Sequence, residues 1–156
     1  MIVNDISNAS LYPVALYTVG GPDINANQEP VNISFTSTSI LRGWTYNPST
    51  YFLTCPANGL YFLTCLVNYN PPNQAIVNKG NLIISINTNG SGLVVPSSFG
   101  AVQEVSSERT NNINFSWMIN LLQGSQIAIT VQYDDDDGNG DYINLHSYYL
   151  TIHKIG

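Results

Sequence analysis

The sequence predicts an all-β fold, a jelly-roll sandwich of roughly ten short strands in two antiparallel sheets. Residues that favour helices are scarce, since the 156 residues include only four Lys plus Arg and two Met. Several segments alternate apolar and polar residues with a period of two, and no long 3.6-residue apolar pattern occurs. Turn residues separate these segments at short intervals. We predict a single domain over residues 1–156, in which residues 1–10 form an irregular N-terminal arm.

The first predicted strands are rich in β-branched and aromatic residues. They cover residues 11–19, 31–35, 40–46 and 51–54. The segment 20–30 is predicted to be a polar loop, because Gly20-Gly21-Pro22 ends the first strand.

The strand at 60–67, LYFLTCLV, is apolar on both faces. Side chains of a strand alternate between its two faces. One face therefore carries Leu60, Phe62 and Leu66, and the other carries Tyr61, Leu63, Cys65 and Val67. A strand with one solvated face should not have this pattern. Either other copies of the chain cover the second face, or a long loop of the same chain covers it.

The second half of the chain adds further predicted strands, at residues 82–87, 93–95, 101–105, 113–122, 127–133 and 145–155. The segment 127–133 alternates cleanly, as a strand with one wet face should. The segment 145–155 is again apolar on both faces. If it lies beside 60–67 in one sheet, burial of the shared face between subunits favours stable self-association.

The charge distribution excludes some partners. The formal net charge is −6 and the four Lys and Arg are scattered, which argues against nucleic acid. No apolar run reaches the roughly 18 residues of a membrane span, so we predict no membrane insertion. The N-terminal residues lack the basic and apolar segments of a secretory signal. Either the chain is made in a cytoplasm and reaches its surface by assembly without a visible signal peptide, or a signal has been removed.

Catalytic motifs are missing from the sequence. His146 and His153 share no local motif with a nucleophile, and no paired metal-ligand spacing of His or Cys occurs. Cys55 and Cys65 are predicted to be free buried thiols and not a disulfide, because no dense cysteine framework is present. We predict that the protein is not an enzyme.

An acidic segment, DDDDGNGD at residues 134–141, is the densest polar constellation. Its alternate residues match the first half of a calcium loop, but the twelfth position is His146 and not the required Glu, so an EF-hand is rejected. Two interpretations stay open. One is a looser calcium site, and the other is a solvated acidic loop without metal. The candidate ligands are Asp135, Asp137, Asn139 and Asp141.

Four segments together resemble a known family. The phrase TYFLTCPANGLYFLTCLVNY at 50–69 resembles a segment shared by complement-q globular heads and the tumour-necrosis-factor superfamily. Residues 81–90 resemble the family strand that ends in Asn-Gly. Residues 119–127 resemble its Leu-x-x-Gly-Asp-x-Val element, with Ser125 in place of Asp, and HSYYLTI resembles its C-terminal ending. The opening VALYTV and the later VNISF also resemble heads of bacterial and viral collagen-like surface proteins.

The resemblance implies a ten-strand jelly roll assembled as a threefold homotrimer. The residues that it implies at the trimer interface are Leu60, Phe62, Leu66, Met118, Leu145, Tyr149 and Thr151. Those that it implies in the monomer core are Tyr61, Leu63, Cys65, Phe115, Trp117, Tyr148, Leu150 and Ile152. Calcium near the trimer apex is known in some members of this family.

We therefore predict a non-enzymatic trimeric head on the surface of a virion, phage or spore, which binds a receptor or a glycan through loops at one end of the sandwich. One alternative is a purely structural protein that assembles or caps a particle shell. A further alternative is a secreted signalling ligand.

Overall fold

The computed structural model describes residues 12–25, 29–70, 80–89, 100–105, 111–135 and 142–155. These residues form strands, turns and bends, and they contain no helix. The strands are β1 (Val14–Val19), β2 (Asp23–Asn25), β3 (Val31–Asn32), β4 (Ser37–Leu41), β5 (Thr45–Tyr46), β6 (Leu53–Thr54), β7 (Gly59–Asn70), β8 (Gly80–Asn89), β9 (Gly100–Val105), β10 (Asn111–Leu121), β11 (Gln126–Asp135) and β12 (Tyr142–Lys154).

The strands form two six-stranded antiparallel sheets. The first has the order β10-β7-β12-β1-β4, and β2 also pairs with β12. The second has the order β5-β6-β11-β8-β9, and β3 also pairs with β11. The predicted all-β jelly roll is confirmed. The described part contains twelve strands, more than the ten predicted, because four of them have only two or three residues.

The core lies between the two sheets. The first sheet supplies Tyr61, Leu63, Cys65 and Val67 from β7, all of them fully buried. The second sheet supplies alternate residues of β8 and β11, which are Leu82, Ile84, Ile86, Ile127, Ile129, Val131 and Tyr133. The alternation read from the sequence therefore sorts β7 and β11 correctly into core-facing and outward-facing residues.

Four predicted segments differ from the structure. The predicted strand at 40–46 is divided between the end of β4 and β5, and the predicted strand at 51–54 is regular only over Leu53–Thr54. The predicted polar loop at 20–30 contains β2, which pairs with the start of β12 because Ile24 is buried in the core. The predicted strand at 31–35 is regular only over Val31–Asn32. Beyond β3, Ile33 still donates its backbone N–H to Ile129, and the N–H of Phe35 turns to the Tyr46 hydroxyl at 2.8 Å. The predicted arm at 1–10 and the predicted strand at 93–95 lie outside the described residues.

A β-bulge in β12 corrects one predicted interface residue. Leu145 is paired with Tyr69 and Ser147 with Asn68, and the register shifts between them. The extra residue changes the alternation, so that Leu145 shares the core side with Tyr69. Leu145 is fully buried in the single chain. Its predicted place on the outward face of the sheet is therefore wrong.

Gly21 lies where the chain passes tightly over β12. A Cβ on Gly21 would lie 2.5 Å from the carbonyl oxygen of Leu145 and 2.8 Å from the Tyr148 ring. We expect Gly21→Ala to lower the free energy of unfolding by about 2–3 kcal/mol, the upper part of the range for overpacking, because backbone must move to admit the methyl group. Gly124→Ala is the comparison, since its Cβ would meet open space but its φ is +85°, which costs about 1 kcal/mol. Equal losses for the two variants in urea unfolding would contradict the close approach at Gly21.

Both cysteines are free and buried, as predicted. Burial raises the pKa of the Cys65 thiol to about 12. We expect neither thiol of the folded protein to react promptly with an aromatic disulfide reagent near neutral pH, because the reactive thiolate is absent or inaccessible. Both should react after denaturation. The exposed variant Thr45→Cys serves as the positive control, and prompt reaction of a wild-type thiol in the folded protein would contradict the prediction.

Candidate functional site

The outward side of the first sheet is the candidate site, and we call it the open face. The pairing of β10, β7, β12 and β1 aligns its residues in rows across the sheet. One row is Met118, Phe62 and His153, the next is Ser116, Thr64, Thr151 and Ala15, and a third is Asn114, Leu66, Tyr149 and Tyr17.

Large apolar side chains are exposed on the open face. Met118 is 62% exposed, Tyr149 is 43% exposed, and Ile40 on the neighbouring β4 is 43% exposed. The rings of Tyr17 and Tyr149 are stacked with centroids 6.3 Å apart. A shallow depression of about 380 Å³ lies beside Phe62, Ser116, Trp117 and Met118. Exposed apolar side chains grouped on one side of a sheet make this side the candidate interaction site.

The polar side chains of the open face bond to one another. The hydroxyls of Thr64 and Ser116 lie 3.3 Å apart on adjacent strands. The Asn68 amide donates to the Ser147 hydroxyl at 2.9 Å. Polar groups that are already paired lose less free energy when water is removed from them. Another protein surface can therefore cover the open face without leaving these four groups unpaired.

The described carboxylates lie outside the three rows of the open face. Among the described residues, none of the three rows contains a carboxylate. Asp23 lies at the β2 end of the sheet, where its carboxylate accepts a hydrogen bond from Asn144 at 2.7 Å. Asp134 belongs to the second sheet. In a chain of net charge −6, two copies can therefore approach through these rows without carboxylate repulsion.

Most predicted interface residues lie together on the open face. They are Leu60, Phe62, Leu66, Met118, Tyr149 and Thr151. Leu145 does not, because of the bulge described above. Sequence reasoning missed Tyr17 and Ile40. The alternation of VALYTV gave a signal for Tyr17, but its position beside Tyr149 depends on the pairing of β1 with β12.

The structure does not describe the candidate calcium ligands. Asp137, Asn139 and Asp141 lie outside the described residues, and Asp135 is placed only as the last residue of β11. Within the described ranges, no group of three or more His, Cys, Asp and Glu residues could hold a metal ion. The calcium site therefore stays a prediction. The described residues also form no helix long and apolar enough to cross a membrane.

No protein-family model and no curated protein sequence matches this chain. Solved structures do match it. The chain is similar to the globular domain of zebrafish complement 1qA, with a TM-score of 0.64 and 12% identity over 93% of this chain and 98% of that one.

Two further structures match at similar coverage. Eiger TNF from S. frugiperda gives a TM-score of 0.59 at 12% identity, over 93% of this chain and 94% of that one. Murine APRIL at pH 8.5 gives 0.55 at 15% identity, over 91% of this chain and 98% of that one. The predicted resemblance to the complement-q and tumour-necrosis-factor jelly rolls is thus confirmed as a likeness of fold.

Proposed function

We propose that the protein is a non-enzymatic head domain on the surface of a virion, phage or spore, which assembles as a homotrimer through its open face and binds a receptor or a glycan. The open face is the single observation that carries this proposal. It exposes large apolar side chains on both sides of a hydroxyl row, four of its polar groups are paired within the sheet, and its described rows hold no carboxylate. The likeness of fold to complement 1qA and TNF-type proteins supports the threefold arrangement.

Apolar burial supplies the driving force for the proposed assembly. Each square ångström of apolar surface removed from water contributes about 25 cal/mol. Several residues of the open face, Met118 and Tyr149 among them, leave much of their surface in water in a single chain. Three copies related by a threefold axis would each cover part of the neighbour's open face and close the assembly.

Sedimentation equilibrium tests the assembly directly. We expect a mass three times that of the 17.1 kDa chain at micromolar concentration. A compact single chain or a closed dimer under these conditions would contradict it. Binding of the labelled trimer to a glycan array and to host cells then tests the head function. Saturable binding supports the head, whereas a stable trimer that binds neither supports the alternative of a structural shell protein.

A glycosylation motif on the open face separates the surface head from a secreted ligand. Asn114-Phe115-Ser116 matches the acceptor pattern, and Asn114 is an exposed residue of the row that contains Leu66. A glycan on Asn114 would project from the face proposed to be buried. The proposed interface therefore requires that Asn114 carries no glycan, which fits a surface head made outside a glycosylating secretory pathway better than a secreted ligand.

We expect the chain to be monomeric when it is produced through a eukaryotic secretory pathway and carries a glycan on Asn114. Asn114→Gln should restore the trimer. Asn32→Gln is the matched control, because Asn32 is also in an acceptor motif but lies on the second sheet, and this variant should remain monomeric. Mass spectrometry locates the glycans and light scattering measures the mass. A trimer with glycosylated Asn114 would show that the open face is not the interface.

A further inference from the structure

The outward side of the second sheet carries a groove whose lining is more polar than the depression on the open face. The groove has a volume of about 270 Å³ and crosses β8 and β11 beside the start of β3. Its lining residues are Pro30, Ser85, Ile86, Asn87 and Thr130. Every side-chain polar group in this lining is a hydroxyl or a carboxamide.

A side-chain bridge across β11 shapes one wall of the groove. Asn32 is paired with Thr130 on one side of β11, and Asn87 is paired with Ala128 on the other. The Asn87 amide nevertheless donates to the Asn32 carbonyl oxygen at 3.2 Å, above the small side chain of Ala128. Ala128 and Thr130 are consequently only 2% and 4% exposed, although both alternate with core residues and point outward.

Hydrogen bonds fix the hydroxyls of the groove. The Thr130 hydroxyl donates to the backbone carbonyl of Ser85 at 3.2 Å. The two side-chain oxygens also lie 2.5 Å apart, and in either direction of this hydrogen bond the Ser85 Oγ uses at most one of its two lone pairs. A lone pair of the Ser85 Oγ therefore remains able to accept. Within the described part of the chain, Asn87 also keeps its carbonyl oxygen and its second amide hydrogen for another partner.

One carboxylate lies next to the groove, because Glu29 is exposed and directly precedes Pro30 of the lining. On β11 the nearest described charge on this side is Asp134, four residues from Thr130 and thus about 13 Å away along the strand. An anionic ligand would meet the Glu29 carboxylate and no counter-charge in the lining, and an apolar ligand would leave the fixed donors and acceptors unpaired. A neutral ligand with both donors and acceptors satisfies them, and a sugar ring with its hydroxyl groups is such a ligand.

We propose that the groove of Ser85, Asn87 and Thr130 binds one neutral sugar ring of a glycan. Its volume is slightly below the usual range of about 300–1,000 Å³ for ligand pockets, which suits a single ring. The assignment rests on the proposed role of the protein as a binding head. The groove itself belongs to one chain, so it does not depend on assembly through the open face.

Saturation-transfer NMR with free sugars tests the groove in the full chain. The probes are galactose, N-acetylgalactosamine, glucose and mannose, with N-acetylneuraminic acid as the charged comparison. We expect at least one neutral sugar to bind with a millimolar Kd and the charged sugar to bind more weakly. Ser85→Ala and Asn87→Ala should each weaken binding by about three- to tenfold, the value of one hydrogen bond.

Thr54→Val is the matched control, because Thr54 contacts Gln126 on the same sheet but does not line the groove. It should bind as the wild type does. Failure of all four neutral sugars to bind, preferred binding of the charged sugar, or wild-type binding by Asn87→Ala would each overturn the proposal.

Repeating the titration with a chain that no longer assembles separates this proposal from the proposed function. A sugar that binds equally to the assembled and to the single chain supports the groove whatever the oligomeric state. If the trimer forms and captures a host-cell protein but no neutral sugar binds, the groove assignment falls and the head function stands.

Discussion

Met118→Glu should sediment as a single 17.1 kDa chain where the wild-type protein sediments as a trimer. Met118 is 62% exposed in the single chain, so a glutamate there leaves folding of the chain intact. In the proposed trimer it would place an unpaired carboxylate against Phe62 and the neighbouring subunit. Such a buried charge costs about 3–5 kcal/mol, which weakens assembly by about 100-fold or more.

Leu122→Glu is the control for this prediction. Leu122 is also an exposed apolar residue, at 52%, but it lies just beyond the end of β10 in the turn. This variant has the same change of charge and should remain trimeric. Both variants should keep the wild-type circular dichroism spectrum. A trimeric Met118→Glu, or equal dissociation of the two variants, would show that the subunits meet elsewhere.

The period-two pattern predicted much of the open face. In β7 every predicted core residue is buried, and the residues between them, such as Phe62 and Leu66, are only partly covered. The pattern fails where the chain departs from ideal pleating. The apolar alternation changes phase at the bulge, from Ile143 and Leu145 to Tyr148 and Leu150, but the adjacent apolar ring of Tyr149 hides this change in the sequence.

Contacts across the sheets lie beyond what the sequence pattern can predict. The Tyr17–Tyr149 pair requires β1 to lie beside β12, and the two residues are far apart in the chain. The Asn32–Asn87 bridge joins residues on the two strands that flank β11. Sequence periodicity gives the face of each strand, whereas these neighbours are set by strand order and register.

The second large effect is expected at Tyr148, whose side chain is fully buried in β12. Its ring meets Phe35 edge to face with centroids 5.5 Å apart, and its hydroxyl donates to the backbone carbonyl of Ser34. Tyr148→Ala should lower the free energy of unfolding by about 3–5 kcal/mol, because it leaves a cavity between the two sheets. That loss is a large part of the roughly 5–15 kcal/mol that keeps a domain folded.

Tyr148→Phe should cost much less, about 1 kcal/mol. The Ser34 carbonyl would lose one donor but keep the Thr18 hydroxyl, which lies 2.9 Å away. Tyr149→Ala is the matched control one residue along, because that ring lies on the open face and is 43% exposed.

All three changes are best measured by urea unfolding in the Met118→Glu background, where dissociation of subunits does not contribute to apparent stability. In this background Tyr149→Ala should change stability far less than Tyr148→Ala. Similar losses for the two would contradict the assignment of alternate β12 residues to the core and to the open face.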